Sequence, residues 1–401
     1  MKVNISKLSL TTFVFILFLF TGKSSLVLAQ TEEVKVNPLL VDFKDELLPT
    51  IKRDLTGIER KRIQAKINDL DTLALEESQA GNDDIAFALW YRSINLSRAL
   101  GTKEEITMIS KVGKIAWDKS RNEDINFLNE RLLKLELEYT KDNNINPEYL
   151  PLFIEGYEAL HNLDKSIAIN KKNLELARAN NDISTIKTAL EKLGRFYLAK
   201  FDYYRAEPIY QELLNIARLE LDYLAEGLYL RQLAEISGEI INPENAIKYK
   251  RELAENYVKN QNLLRLSLIK ISIGDDYKAL KKPDESAKSY QEAFSLAWSL
   301  QQYSIAGDAL EKLGILYQEY EQLDSALEIY QELIKLQQLS YNHYGLMKSY
   351  DSMGIIYQKK NDYSSALKSY EKALAIARSL SHQENYFITK IDELQNVNNK
   401  E

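Results

Sequence analysis

The chain contains no cysteine. That excludes disulfide staples, thiolate-bound zinc, iron–sulfur clusters and a thiol nucleophile. Three histidines in 401 residues are too few for a His-rich metal site. Glycine and proline are scarce, at 14 and 7. So few turn formers disfavour sheet-rich folds and favour helices. Basic charge is not in excess: 52 Lys and Arg stand against 59 Asp and Glu, a net charge of −7. Binding to phosphate backbones needs the opposite balance, so no nucleic-acid partner is expected. What remains is a chain that is 45% hydrophobic and 28% charged, the profile of a folded protein, with an unusual 25 tyrosines.

The N-terminus stands apart. Lys2 and Lys7 flank the start of a mostly apolar run, Leu8–Phe20. Gly22-Lys23-Ser24-Ser25 breaks the run, and Val27-Leu28-Ala29 offers a small-residue cleavage site. This order reads as a secretory signal peptide over 1–29. The run is short of the roughly 20 apolar residues of a membrane span. Left uncleaved it is a signal anchor, and membrane contact is expected only through it. The destination is a periplasm, the extracellular space or a thylakoid lumen.

The rest repeats. Leu193-Gly194-Arg195-Phe196-Tyr197, Leu313-Gly314-Ile315-Leu316-Tyr317 and Met353-Gly354-Ile355-Ile356-Tyr357 share one pattern. Each is followed at the same distance by Ala-x-x-x-Tyr: Ala206/Tyr210, Ala326/Tyr330 and Ala366/Tyr370. Ile273-Gly274 with Tyr277, Ser286 and Tyr290 belongs to the set. The heads of the units fall at 73, 112, 153, 193, 233, 273, 313 and 353, a period of about 40. A fixed period of this size is the mark of stacked supersecondary units.

The pattern resembles the tetratricopeptide repeat, in a long 40-residue form and of the exported bacterial type. The resemblance covers 57–380 and is strongest in the fourth, sixth, seventh and eighth units. It implies an all-α, right-handed solenoid of about eight helix–turn–helix repeats. The motif glycine lets the two helices of a unit approach, and the tyrosines fill the space between units. Six residues beyond the usual 34 are about 1.7 helical turns, so longer helices are expected.

Local signals fit this plan. Asn82, Asn162, Asp202, Asn242 and Asp362 stand where they would cap second helices. Pro243 and Pro283 fall at first helical positions. Pro208 lies six residues into its helix, so a kink or a later start is expected there. Thr56-Gly57-Ile58-Glu59 and Ser381–Glu384 read as capping boxes. Residues 30–56 read as an irregular arm and 381–397 as a terminal capping helix with Phe387, Ile391 and Leu394 on one face. Residues 398–401 are a polar tail.

No catalytic, cofactor or metal constellation emerges. His161, His343 and His382 are isolated and read as solvated. Gly-rich phosphate loops and Gly-x-Ser-x-Gly are absent. Acidic doublets such as Glu76-Glu77 and Asp275-Asp276 read as solvated helix faces. The run Arg60-Lys61-Arg62 reads as an exposed helix face.

The resemblance places the partner groove on the first helix of each unit. Carried over position by position, the candidates are Lys111, Lys114 and Trp117 in the second unit. The fourth unit gives Glu191, Lys192 and Arg195. Arg231, Gln232 and Glu235 come from the fifth, Asp275 and Lys278 (with Ile271) from the sixth. Glu311, Lys312 and Gln318 belong to the seventh, Asp351 and Gln358 to the eighth. Mixed charge with long amides suits an extended peptide or a partner helix. The plainer reading makes several of these solvated i,i+4 pairs, such as Glu191/Arg195 and Arg231/Glu235. Trp117 is the best anchor, although a helical Trp is also an ordinary core residue. The expected function is that of an exported, non-enzymatic scaffold binding a protein or peptide. Assistance in envelope or membrane-complex assembly is what the resemblance implies for exported members. The alternative is a peptide- or ligand-sensing solenoid that changes curvature and displaces its arm.

Overall fold

A computed structural model describes residues 36–51, 53–141 and 144–398. The segment expected to be an export signal, the start of the arm and residues 399–401 of the tail lie outside the described residues. The architecture is an all-α solenoid. The helices are α1 Gly57–Gln79, α2 Asp83–Leu100, α3 Thr102–Asp118, α4 Asn122–Glu138, α5 Leu150–Ala159, α6 Leu163–Ala179, α7 Ile183–Ala199 and α8 Tyr203–Leu219. They continue with α9 Tyr223–Glu239, α10 Pro243–Lys259, α11 Leu266–Ala279, α12 Pro283–Ser299, α13 Tyr303–Glu319, α14 Leu323–Leu339, α15 His343–Lys359, α16 Tyr363–Leu380 and α17 Glu384–Asn398. Each packs on the next, and odd helices head the sequence units.

Most of these helices are 17 residues long and are joined by three-residue turns. The turns share one geometry. From His161 to Ser381, every twentieth residue has φ between 50° and 59°, and none is glycine. The turn after α7 shows why the strain is tolerated. The Phe201 amide donates to the Leu198 carbonyl at 2.9 Å and the Asp202 amide to Tyr197 at 2.8 Å. This Schellman arrangement satisfies carbonyls that a helix end leaves open. The 40-residue period is therefore two near-identical 20-residue halves.

Caps set the helix starts. The side chains of Asn162, Asp202, Asn242 and Asp362 accept from the third amide of their helices. Asp182, Asp222 and Asn342 do the same for first helices. Asn82 does not: its amide donates to Glu77 Oε2 at 2.8 Å. Pro243 and Pro283 open α10 and α12. Pro208 lies inside α8, which still begins at Tyr203, so the later start is not taken. Thr56 and Glu59 form the expected capping box. Ser381 and Glu384 do not, because Ser381 is the left-handed residue that ends α16 and α17 begins only at Glu384.

The core follows the motif. The rings of Tyr210, Tyr290, Tyr330 and Tyr370 press on the backbone at Gly194, Gly274, Gly314 and Gly354. Leu39 of the arm is fully buried, and its carbonyl accepts from Arg98 at 2.7 Å. Asn37 reaches Glu130 at 2.8 Å, which ties the arm across α2 and α4. At the other end Phe387 and Leu394 of α17 are buried against α16.

One unit departs from the rule. Where the other 17-residue pattern would begin α5, the chain forms a short antiparallel ladder pairing Thr140 with Ile145. Pro151 then sits in the first turn of α5, which is only ten residues long.

Candidate partner-binding groove

The odd helices present a continuous polar face, and its charges are linked from unit to unit. Lys192 Nζ of α7 meets Glu158 of α5 at 2.8 Å. Lys312 of α13 meets Asp275 of α11 at 2.8 Å, and Lys348 of α15 meets Glu311 of α13 at 3.3 Å. Lys278 pairs with Glu319 at 2.7 Å, and Lys111 pairs with Asp71. Tyr229 donates to Glu191 at 2.6 Å, Tyr330 to Gln318 at 3.5 Å and Tyr370 to Gln358 at 2.5 Å. Gln232 donates to Glu235 at 3.2 Å. The i,i+4 ion pairs Glu191/Arg195 and Arg231/Glu235 are not formed among the described residues, because their acids turn to other partners. Among the described residues, the exposed Arg195 and Lys114 make no ion pair, and Arg231 keeps a buried Nε without a partner.

Three positions differ from expectation. Ile271 faces inward, 7% exposed, among Tyr290 and Leu313. Its place on α11 turns it toward α12 rather than the groove. Trp117 is 45% exposed but not free: its ring stacks on His161 at 3.8 Å. His161, read as merely solvated, is thus a cover for Trp117. Both sit at turn edges rather than in the middle of the face.

The candidates do not form one site. They are spread along the face, and the structure brings three of them together. Lys111, Lys114 and Lys192 line a cavity of about 760 Å³ between α3, α5 and α7. Thr107, Ser110, Ile154, Glu155 and Glu158 complete its wall. A second hollow of about 380 Å³ continues from it past Thr107 and Lys111 to Asp71, Lys103 and Gln64. The cause is the shortened α5. Seven residues fewer than its neighbours is about two turns, and the space they would fill stays open. Thr107, Ser110 and Glu155 were missed from sequence. Pro147 and Pro151 were the available signal, since a proline just before a helix and another in its first turn block its extension toward the N-terminus.

Burial tunes the groups along the face. Burial raises the Tyr290 and Tyr229 hydroxyls well above an ordinary phenol, and the adjoining Asp275 and Glu191 carboxylates add to it. These tyrosines act as fixed hydrogen-bond donors. Burial also raises Asp351, against the opposing effects of the Tyr386 hydroxyl and Lys390. Burial and Glu311 raise Asp308. No group of three or more His, Asp or Glu residues that could hold a metal ion occurs among the described residues.

Residues 305–379, from α13 into α16, match the tetratricopeptide repeat family, which makes that stretch a tetratricopeptide repeat segment. Among curated proteins nothing matches the sequence. Similar solved structures include BtubC from P. vanneervenii, at 20% identity, covering 55% of this chain and 92% of that one with a TM-score of 0.38. A signal transduction ATPase with numerous domains and a tetratricopeptide repeat sensor, from Pyrococcus horikoshii, is 18% identical. That match covers 85% of this chain and 52% of that one with a TM-score of 0.41. Aspartyl phosphate phosphatase F from Bacillus subtilis is 14% identical, with 72% and 78% covered and a TM-score of 0.41.

Proposed function

We propose that this helical-repeat chain is an exported, non-catalytic scaffold that holds a segment of a partner protein against its odd-helix face. The cavity between α3, α5 and α7 is the principal seat. One observation carries this reading: α5 is two turns short, and the opening it leaves is lined by groups that recognise polypeptide. Among the described residues Lys114 offers an unpaired cation, Glu155 an unpaired anion, and Thr107 a hydroxyl with no hydrogen bond. The ladder of lysine–carboxylate pairs beyond the cavity lets a longer segment exchange partners along the face. Export places the partner in the envelope, where assembly of a membrane complex is the service such a scaffold gives.

Sensing by release of the arm is less well supported. Displacing the arm would expose Leu39 and break the bonds to Arg98 and Glu130.

The test is recovery of partners by the full chain from its own envelope fraction. The double substitution Lys114→Glu with Lys192→Glu should lower recovery about 10-fold or more, the effect of about 1.4 kcal/mol in binding. Lys288→Glu on α12, away from the cavity, should leave it unchanged. Equal recovery by the double variant would sink the proposal.

A further inference from the structure

The turns that join one unit to the next form an edge of the solenoid, opposite the turns inside units. From α10 to α17 this edge has an unusual composition. Residues 256–274, 293–307, 333–350 and 372–383 surround its four successive turns and contain no Asp or Glu. They hold seven Lys and Arg, of which Lys270, Lys335 and Lys348 are paired with Glu292, Glu332 and Glu311 outside these stretches. The opposite edge over the same units carries Asp284, Glu285, Glu319, Glu321, Asp324 and Asp362.

The acid-free edge is also apolar and aromatic where water would be expected to favour polar residues. Leu264 is 64% exposed, Leu339 63% and Tyr341 82%. Trp298 and Tyr303 stand together, ring centroids 5.7 Å apart, and both are exposed. Tyr341 occupies a left-handed position with φ of 54°, where a bulky side chain is disfavoured. Neighbouring turns touch in two places: Gln302 Nε2 donates to the Leu264 carbonyl at 2.9 Å, and Tyr344 meets His382 at 5.7 Å.

Three of the seven cations are unspent. Lys259, Arg265 and Arg378 are exposed and make no ion pair within the described residues. On the opposite edge Lys119, Lys200 and Lys360 are each paired with an aspartate at the start of the preceding helix.

We infer that this edge docks on an anionic lipid surface. Leucine, tryptophan and tyrosine side chains insert at the level of the headgroups, where amphipathic rings settle. The unpaired Lys and Arg meet lipid phosphates, and the lack of carboxylates removes repulsion. A protein groove as partner would call for charge of both signs, which this edge does not offer. None of the described helices is long and apolar enough to cross a membrane, so the contact is peripheral. The inference stands independently of the cavity reading, since it uses other residues on another edge.

The test is flotation of the full chain with vesicles of phosphatidylglycerol and phosphatidylcholine, and with phosphatidylcholine alone. The N-terminal apolar run is the same in every variant, so differences report on the edge. Arg265→Glu with Arg378→Glu, and separately Trp298→Ser with Tyr341→Ser, should each lower partition onto anionic vesicles about 10-fold or more. Phe201→Ser with Ile241→Ser on the other edge should not. Lipids brominated in the acyl chain should quench fluorescence of the unsubstituted chain, and Trp298→Phe should abolish that part of the quenching. That readout does not depend on how a multiple variant folds. Unchanged partition in both edge variants, or no Trp298 quenching, overturns the inference. So does a dimer that the edge variants dissociate while vesicle binding persists.

Discussion

At the scale of single residues, the glycines divide into two kinds. A Cβ on Gly274 would lie 2.5 Å from the Tyr290 ring, so Gly274→Ala forces the helix pair apart. It should cost about 1–3 kcal/mol, as overpacking does, and lower the midpoint of a urea melt. Gly307 has only ordinary contacts at 3.8 Å and Gly238 has none within 4 Å. Gly307→Ala should instead stabilise by about 0.5–1 kcal/mol through helix propensity alone. Ile241 is a β-branched residue in the left-handed region with its side chain 87% exposed. Ile241→Asn should raise stability by about 1 kcal/mol, because Asn tolerates that conformation and nothing packed is lost. A decrease in unfolding free energy for Ile241→Asn would refute the turn geometry. Charge acts at this scale too. Bonding to Arg53 above all, then to Thr56, lowers the Glu59 carboxyl from 4.5 to about 2. Its contribution is present above pH 4.5 and is lost as pH falls toward 2. Carboxyl resonances of Glu59 should titrate near pH 2, and Arg53→Ala should move that midpoint upward.

At the scale of elements, helices are held by side chains crossing between units. Glu105 of α3 is buried and receives Arg131 of α4 at 2.6 and 2.8 Å, and Arg98 of α2 at 3.0 Å. Arg131→Ala leaves that carboxylate without its main partner in a dry site. It should cost about 3–5 kcal/mol by denaturant melting, whereas replacing both residues with leucine should cost less. The elements were largely readable in the sequence, for stated reasons. Leu-Gly-x-x-Tyr and Ala-x-x-x-Tyr at a 40-residue period place each helix pair, because glycine and ring must meet. Caps such as Asp202 and prolines such as Pro243 mark starts, since their effect is local. What the sequence hid was non-local or shared. The 20-residue half-period was masked because its left-handed residues are Phe201, Leu221 and Ile241 rather than glycine. Ser381 looked like a cap but was taken by the end of α16. The groove lysines were found, but their acids lie one unit away, as with Lys312 and Asp275, so local i,i+4 pairing was the wrong rule. The shortening of α5 was signalled by Pro147 and Pro151, and it is what turns scattered candidates into a cavity.

At the scale of the whole molecule, a solenoid has contacts only between neighbours, so its halves need not melt together. One buried cluster runs from Leu174 of α6 to Tyr257 of α10, and a 3₁₀ turn, Leu263–Arg265, interrupts the regular start of α11. Trp90 is buried in the first unit, and Trp298 lies on α12 of the sixth, half-exposed against Phe294 and Tyr303. Single-tryptophan variants retaining one or the other should show different denaturation midpoints, where a two-state protein would give the same one. The same linear design gives the molecule two distinct surfaces: an odd-helix face with charge of both signs, opened at α5, and an edge whose turns carry no Asp or Glu. Of these, the face carries the account's main claim. Its most direct test is photo-crosslinking in the native envelope from a reactive residue placed at Glu155, at the Asp308 position farther along the face, or at Lys288 on α12. Capture of a partner protein from Glu155, weaker capture from Asp308 and none from Lys288 is the predicted result. Capture from Lys288 with none from Glu155 would contradict it.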